Sequence, residues 1–454
     1  MKLLKRQSMR IDLPNSIQFS KIFERALSRP IYSEVTGVVT DSREVQKGDL
    51  YIAIPGERVD GHSFLKNSFE AGAAAALVNR VNDDLKGEQI LVNDPVKAIG
   101  EVSTAWRDQF DLPVIGITGS NGKTSTKELL KHILSAKFDI HATEGNFNTS
   151  IGLPLTLLQL TSFHGASILE MGANQPGDIE ELCQIGKPTH GLITNIAPAH
   201  LEGFGTIEAV AKTKGAMFEC LSNGVAFVNT ADQRVIELPI KGDSIRFGLS
   251  PDCDYPADIH HEDDGTITLT IDSVEVPTNS VNLSFVKNVI ACSAIARELG
   301  LSWEAIIDRI STFQPPKGRC EVKNNGSIII IDDTYNANLE SAIAAIDYLK
   351  AFSGNGQRIF VFGDMFELGD SSIDQHKAVG EKCNEAALSA VYTVGTETIA
   401  TNGAILDVAY NEHFDNKDAL VDALKDNIQD GDKVLVKGSR GMQMETIVEA
   451  LLAN

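Results

Sequence analysis

The 454-residue sequence predicts an α/β protein of three domains. These are a small N-terminal α/β domain over 1–110, a central domain over 111–314 with a mostly parallel sheet around a glycine-rich loop, and a doubly wound domain over 315–454. Three observations predict this. The chain is longer than one hydrophobic core normally organises. Strand-like apolar runs alternate with helical ones along most of its length, the pattern of parallel sheets with helical crossovers. Pro315-Pro316-Lys317-Gly318 interrupts that alternation, and a fresh one starts after it.

In the first domain a β-rich run at 49–54 is followed by an alanine-rich stretch, 69–78, expected to be helical. The central domain opens with a buried strand at 112–118 and a helix at 124–138, which carries Leu129, Leu130, Ile133 and Leu134 on one face. Further strands are expected at 166–169 and 191–196, and a β-rich insertion with Asp and Gly turns at about 225–277. In the third domain strands at 327–331, 358–362, 391–394 and 433–437 alternate with helices, the first of them reaching Leu349.

A net charge of −22 argues against nucleic-acid partners and anionic membranes, because phosphate backbones are bound by clustered Lys and Arg. Cys183, Cys220, Cys253, Cys292, Cys320 and Cys383 are widely spaced, which fits reduced thiols rather than a disulfide framework or zinc site. The N-terminus carries Lys2, Lys5, Arg6 and Arg10 but no signal-like apolar run, and no stretch approaches the roughly 18 apolar residues of a membrane span. A cytoplasmic protein without membrane insertion is expected, and a monomer.

The strongest local signal is Gly116-Ile117-Thr118-Gly119-Ser120-Asn121-Gly122-Lys123-Thr124-Ser125-Thr126. Strand, glycine turn and helix come in the order a nucleoside triphosphate site requires. Gly119 and Gly122 let successive N–H groups turn inward toward phosphate oxygens, and the helix N-terminus adds partial positive charge. Lys123 is expected to reach the terminal phosphates and the Thr124 hydroxyl to ligate Mg²⁺, with Ser120, Asn121 and Ser125 completing the loop. Ile117 stands where the strict pattern has glycine, so the strand and helix context carries the reading.

Glu170 closes an apolar strand, placing a carboxylate where an oxygen-seeking metal could use it. His200, in Ala197-Pro198-Ala199-His200-Leu201, follows the next strand. Asp332-Asp333-Thr334-Tyr335-Asn336-Ala337-Asn338 ends a third, where ligand contact competes with capping the following helix. Gly363-Asp364-Met365 ends a fourth, and Lys437-Gly438-Ser439-Arg440-Gly441 ends a fifth, with cations where an anion could dock.

Taken together, the blocks at 118–124, 170–173, 195–201, 333–338 and 437–440 resemble the Mur ligase family, over a span from Thr40-Asp41-Ser42-Arg43 nearly to the C-terminus. The resemblance implies a domain for the UDP-sugar end of the substrate, a central P-loop ATPase and a Rossmann-like third domain that closes over the site. It implies ATP, two Mg²⁺ ions, and joining of D-alanyl-D-alanine to UDP-N-acetylmuramoyl-tripeptide through an acyl phosphate. By the same resemblance Lys123, Glu170, His200 and Lys212 are catalytic, and Thr124, Glu170 and His200 ligate metal. Lys212 would be carbamylated, with Lys214 a nearby alternative. Asn288 would meet adenine, Arg319 phosphate and Asp333 ribose, while Ser42, Arg43, Asn336 and Asn338, with the region Gly56-Glu57-Arg58, would meet substrate.

Two departures from the family pattern stand out. Leu283-Ser284-Phe285 replaces its Gly-x-His-Asn, and Leu339 replaces a proline. Other readings are a sister ligase that adds one amino acid, a folylpolyglutamate synthase, and a nucleotide-gated binding module without ligation.

Overall fold

The computed structural model describes residues 10–56, 59–198, 201–352 and 354–453. Glu57, Arg58, His200 and the basic N-terminal residues before Arg10 lie outside them. Three sheets follow one another along the chain. The first has five strands in sequential order, Arg10–Asp12, Gly37–Val39, Asp49–Ile52, Ala75–Val78 and Glu88–Leu91, parallel except for the first pair.

The central sheet has nine strands. Val114–Thr118 lies between Ala166–Glu170 and His190–Ile193, parallel to both, with Ile140–Ala142 on one edge. The chain fills one side of Val114–Thr118 and then crosses to the other, so the strand sits at a topological switch point, where open α/β sheets bind ligands beyond their strand ends. The β-rich insertion extends this sheet: Val225–Asn229 and Asp243–Gly248 continue the parallel order, and Tyr255–His261, Ile267–Ile271 and Val274–Ser280 finish it, the last two pairings antiparallel.

The third sheet runs Glu321–Asn325, Ile328–Asp333, Lys433–Lys437, Arg358–Gly363, Ala390–Val394 and Tyr410–Phe414. The last strand of the chain inserts between Ile328–Asp333 and Arg358–Gly363, parallel to both, which brings Lys437 beside Asp333 in register.

Helix Lys123–Leu134 buries Leu129, Leu130, Ile133 and Leu134 completely, beneath helix Leu283–Glu298 and against the central sheet. Residues 69–78 differ from expectation. The helix is Leu65–Glu70, Gly72 turns at φ +107°, and Ala75–Val78 is a buried strand between two parallel neighbours. Alanine's helix preference is weak beside a sheet position covered on both faces, where a small side chain lets helices approach. The first two sheets also share packing. Phe147, Leu155, Leu158 and Leu160 join the core of the first, and Trp106 Nε1 donates to the Leu160 carbonyl at 3.0 Å.

Candidate active site

A cleft of about 860 Å³ opens beyond the strand ends of the central and third sheets, lined by residues of both. Gly119 and Gly122 take φ of +147° and +82°, and at Gly119 a Cβ would stand 1.9 Å from Thr194 Oγ1, so only glycine fits. Gly122 caps helix Lys123–Leu134 without a side chain, leaving the first-turn N–H groups open to a ligand. The loop between is gripped from the next strand end. Asn121 N–H donates to Asn195 Oδ1 at 3.0 Å, and its carbonyl accepts from Thr194 Oγ1 at 2.6 Å and Asn195 Nδ2 at 3.1 Å.

Lys123 Nζ folds back on the loop, donating to the carbonyls of Gly119 at 2.7 Å and Ser120 at 3.3 Å. Burial pushes its pKa down, Glu170 opposes this and Arg319 adds to it. Ser120 exchanges hydrogen bonds between its hydroxyl and the backbone of Ala197, and its N–H donates to the Asn195 carbonyl at 3.0 Å, so it braces the loop. Asn288 lies against the loop, its Oδ1 3.4 Å from where a Gly122 Cβ would be. Beside it Phe285 stacks on Phe313 at 5.7 Å, so the departure from the family pattern puts an aromatic pair into the cleft wall. Ser125 also lines the cleft.

Glu170 is almost fully buried at its strand end. Its N–H donates to Thr143 Oγ1 at 3.0 Å and its Oε1 accepts from Asn148 Nδ2 at 2.8 Å, while Oε2 is buried with no hydrogen-bond partner. An orphaned carboxylate oxygen facing a cleft shared with Thr124 suits Mg²⁺, which takes one or two carboxylates and fills its remaining positions with phosphate and water. Among the described residues no group of three or more His, Cys, Asp or Glu is placed to hold a metal.

Lys212 does not belong to this site. It is exposed on helix Ile207–Glu219, whereas Lys214 is buried. Two residues along a helix turn a side chain to nearly the opposite face, which separates the two lysines. Burial drives the Lys214 pKa far down and Lys123 adds to this, with Asp178 opposing.

From the third domain Arg319 Nη2 donates to Thr124 Oγ1 at 3.3 Å, and its guanidinium lies 3.8 Å over the Tyr335 ring. Asp333 accepts from Lys437 Nζ at 2.5 Å and from the Cys320 N–H at 3.2 Å. Lys437 is therefore buried and paired rather than an open anion dock, and Arg440 pairs with Glu445 at 3.0 Å. Asn336 lines the cleft and accepts from the Arg440 N–H at 3.4 Å.

Asn338 caps helix Leu339–Ala351 through a reciprocal pair with Ser341, and its Nδ2 donates to Asn121 Oδ1 at 2.7 Å. The amide thus holds one bond at each end while Asn338 still lines the cleft. Ser42 and Arg43 lie elsewhere. Arg43 is exposed, donates to Asp41 at 2.8 Å, and neither residue borders the cleft.

Sequence reasoning did not single out Asn148 or Thr143, and it gave Asn195 no role beyond its place in the block at 195–201. The only local sign was the polar run Glu144-Gly145-Asn146 and Asn148-Thr149-Ser150 after a strand.

Three family models cover this architecture in order: "Mur ligase family, catalytic domain" at 34–109, "Mur ligase middle domain" at 117–296 and "Mur ligase, glutamate ligase domain" at 318–440. The UDP-N-acetylmuramoyl-tripeptide–D-alanyl-D-alanine ligase of Escherichia coli is 36% identical over 92% of this chain and 94% of that protein. The chain belongs to the Mur ligase family. MurF of Acinetobacter baumannii superposes with a TM-score of 0.88 at 30% identity, covering 96% of this chain and 98% of that one. MurF ligase of Thermotoga maritima in complex with ADP gives 0.81 at 30% identity, covering 91% and 96%. This Mur ligase is thus an ATP-binding enzyme, and among its described residues no helix is long and apolar enough to cross a membrane.

Proposed function

We propose that this Mur ligase joins D-alanyl-D-alanine to UDP-N-acetylmuramoyl-tripeptide at the expense of ATP, forming the pentapeptide precursor of peptidoglycan. One observation carries the reading. A phosphate loop, a buried strand-end carboxylate and an arginine from another domain converge on one cleft, in a chain similar end to end to ligases named for this reaction. The residue ranges 1–110, 111–314 and 315–454 serve as its three domains, a division supported by three separate sheets.

The tripeptide's terminal carboxylate attacks the γ-phosphorus. A C–O–P linkage forms, the bond between γ-phosphorus and bridging oxygen breaks, and ADP leaves. The dipeptide's amine then attacks the acyl carbon, a tetrahedral oxyanion forms, phosphate departs and the nitrogen sheds its proton. Both steps bring anions together, so fixed cations and N–H donors aimed at the phosphate are what the protein must supply. The open N–H groups of the first helical turn, Lys123 and Arg319 are those donors, with Asn288 and Phe285 beside the base and Asp333 toward the ribose. Thr124 and Glu170 would hold a Mg²⁺ ion that neutralises phosphate charge. His200 would serve a second ion. Lys214, whose burial disfavours the charged form, would replace Lys212 as the amine fit to add CO₂, forming a carbamate and releasing a proton.

The decisive assay supplies ATP, Mg²⁺ and UDP-muramoyl-tripeptide and compares D-alanyl-D-alanine with single amino acids and glutamate. Phosphate release that depends on the dipeptide and the tripeptide together is expected. Turnover supported by glutamate, or by no amine at all, would overturn the reading.

A further inference from the structure

The amide of Asn338 performs two tasks in different parts of the protein. Its Oδ1 accepts from the Ser341 N–H at 2.9 Å, and the Asn338 N–H donates to Ser341 Oγ at 3.0 Å, so the orientation of the side chain is set within its own helix. Only Nδ2 remains free to point outward, and it meets Asn121 Oδ1 at 2.7 Å. Asn121 is then left with its own Nδ2, which faces Glu340 Oε2 at 3.4 Å, in the first turn of the same helix. The donors and acceptors admit one direction along this chain of bonds: helix backbone, Asn338, Asn121, Glu340. Glu340 itself is exposed and lines the cleft, so the chain of bonds ends at the cleft's open side.

We infer that Asn338 is a positioning residue that acts through Asn121, a latch by which the docked third domain fixes the phosphate loop. The cap is local to the third domain and persists wherever that domain goes. The bond to Asn121 exists only when the third domain sits over the central sheet. Asn121 is the middle of the loop, and its peptide is already held on the other side by Thr194 and Asn195. Docking therefore completes the restraint on the peptide between the two left-handed glycines, and undocking releases one side of it. The inference takes from the proposed function only that this loop carries the ATP phosphates.

Asn338→Ser separates the two tasks. Serine caps a helix about as well as asparagine, but its hydroxyl is too short to reach Asn121. In the full-length enzyme, we expect a wild-type melting temperature, an unchanged KM for D-alanyl-D-alanine, and kcat/KM for ATP lowered about five- to tenfold, the scale of one neutral hydrogen bond. Asn121→Ser should show a similar loss, and the double variant should be no worse than either single one, because both remove the same bond.

Several results would overturn the latch. These are unchanged kcat/KM for ATP in Asn338→Ser, a rise confined to the dipeptide KM, losses that multiply in the double variant, or a Ser variant that melts as low as Asn338→Ala. Lys123→Ala run alongside keeps the two readings apart. Normal turnover in Lys123→Ala would sink the phosphate loop itself, while a fully active Asn338→Ser beside an inactive Lys123→Ala would sink only the latch.

Discussion

Gly119→Ala tests the phosphate loop at the point where the backbone leaves no room. The added Cβ would lie 1.9 Å from Thr194 Oγ1 and 3.1 Å from the Thr194 backbone nitrogen, at a φ of +147° that side-chain-bearing residues rarely adopt. Holding that φ costs about 1–3 kcal/mol. Moving the threonine aside sacrifices its 2.6 Å bond to the Asn121 carbonyl, worth about 1 kcal/mol. The sum, roughly 2–4 kcal/mol, converts to a loss of about 30- to 1,000-fold if it falls on the loop's active geometry. Phosphate release under both substrates gives kcat/KM for ATP, and circular dichroism checks that the variant is folded. Thr194→Ala in the same background removes the hydroxyl from the path together with that same bond, so the double variant should be no worse than Gly119→Ala. A Gly119→Ala enzyme within about threefold of wild type would refute the steric argument. A double variant clearly worse than Gly119→Ala would mean that Thr194 keeps its bond beside the new methyl group, against the steric argument.

Lys123→Ala should lower kcat by about 100-fold or more, since one electrostatic donor at such a centre is worth about 3 kcal/mol, with ADP release as the readout. Asn148→Ala takes the one hydrogen bond from Glu170 Oε1 and leaves both carboxylate oxygens unpaired; the Mg²⁺ concentration for half-maximal activity should shift, and an unchanged titration would count against Glu170 as a ligand. Lys214 has a folded pKa far below its unfolded one, so between those values the unfolded chain binds the extra proton and stability rises with pH. Lys214→Met should flatten that rise in CO₂-free buffer and melt higher at neutral pH, and parallel melting curves would contradict the buried, neutral amine. Lys212→Ala, on the exposed face, should retain wild-type turnover in the same phosphate-release assay.

How much was legible follows from which interactions are local. The strand, glycine turn and helix at 114–134 are contiguous, so periodicity and turn chemistry located them to within a few residues. Glu170 was legible as a strand-end carboxylate, because that needs only the strand. What orients it was not. Asn148 and Thr143 come from the loop after the neighbouring strand Ile140–Ala142, and no single-sequence pattern says which polar residue there will face which strand. The alanine-rich segment before Val78 failed for a related reason, since its conformation is decided by the sheet that flanks it. Lys212 and Lys214 differ by two positions on one helix, and only the packing of that helix against its neighbours decides which is buried.

That last choice bears on how an acidic protein holds a triphosphate. With a formal net charge of −22 the chain offers no diffuse attraction for ATP, so the binding has to be local. Among the described residues Lys123, Lys214, Lys287, Arg319 and Lys437 stand at or behind the cleft, and the structure divides their work. Lys437 is neutralised by Asp333, and Lys214 is driven toward its neutral form by burial and by Lys123. At the loop itself stand Lys123 and, from the third domain, Arg319, joined by the uncapped N–H groups after Gly122. If the third domain moves, splitting the cations between domains would make full charge compensation conditional on its docking, and water would be excluded from the phosphates in the same movement that completes the field on the transferred phosphoryl group.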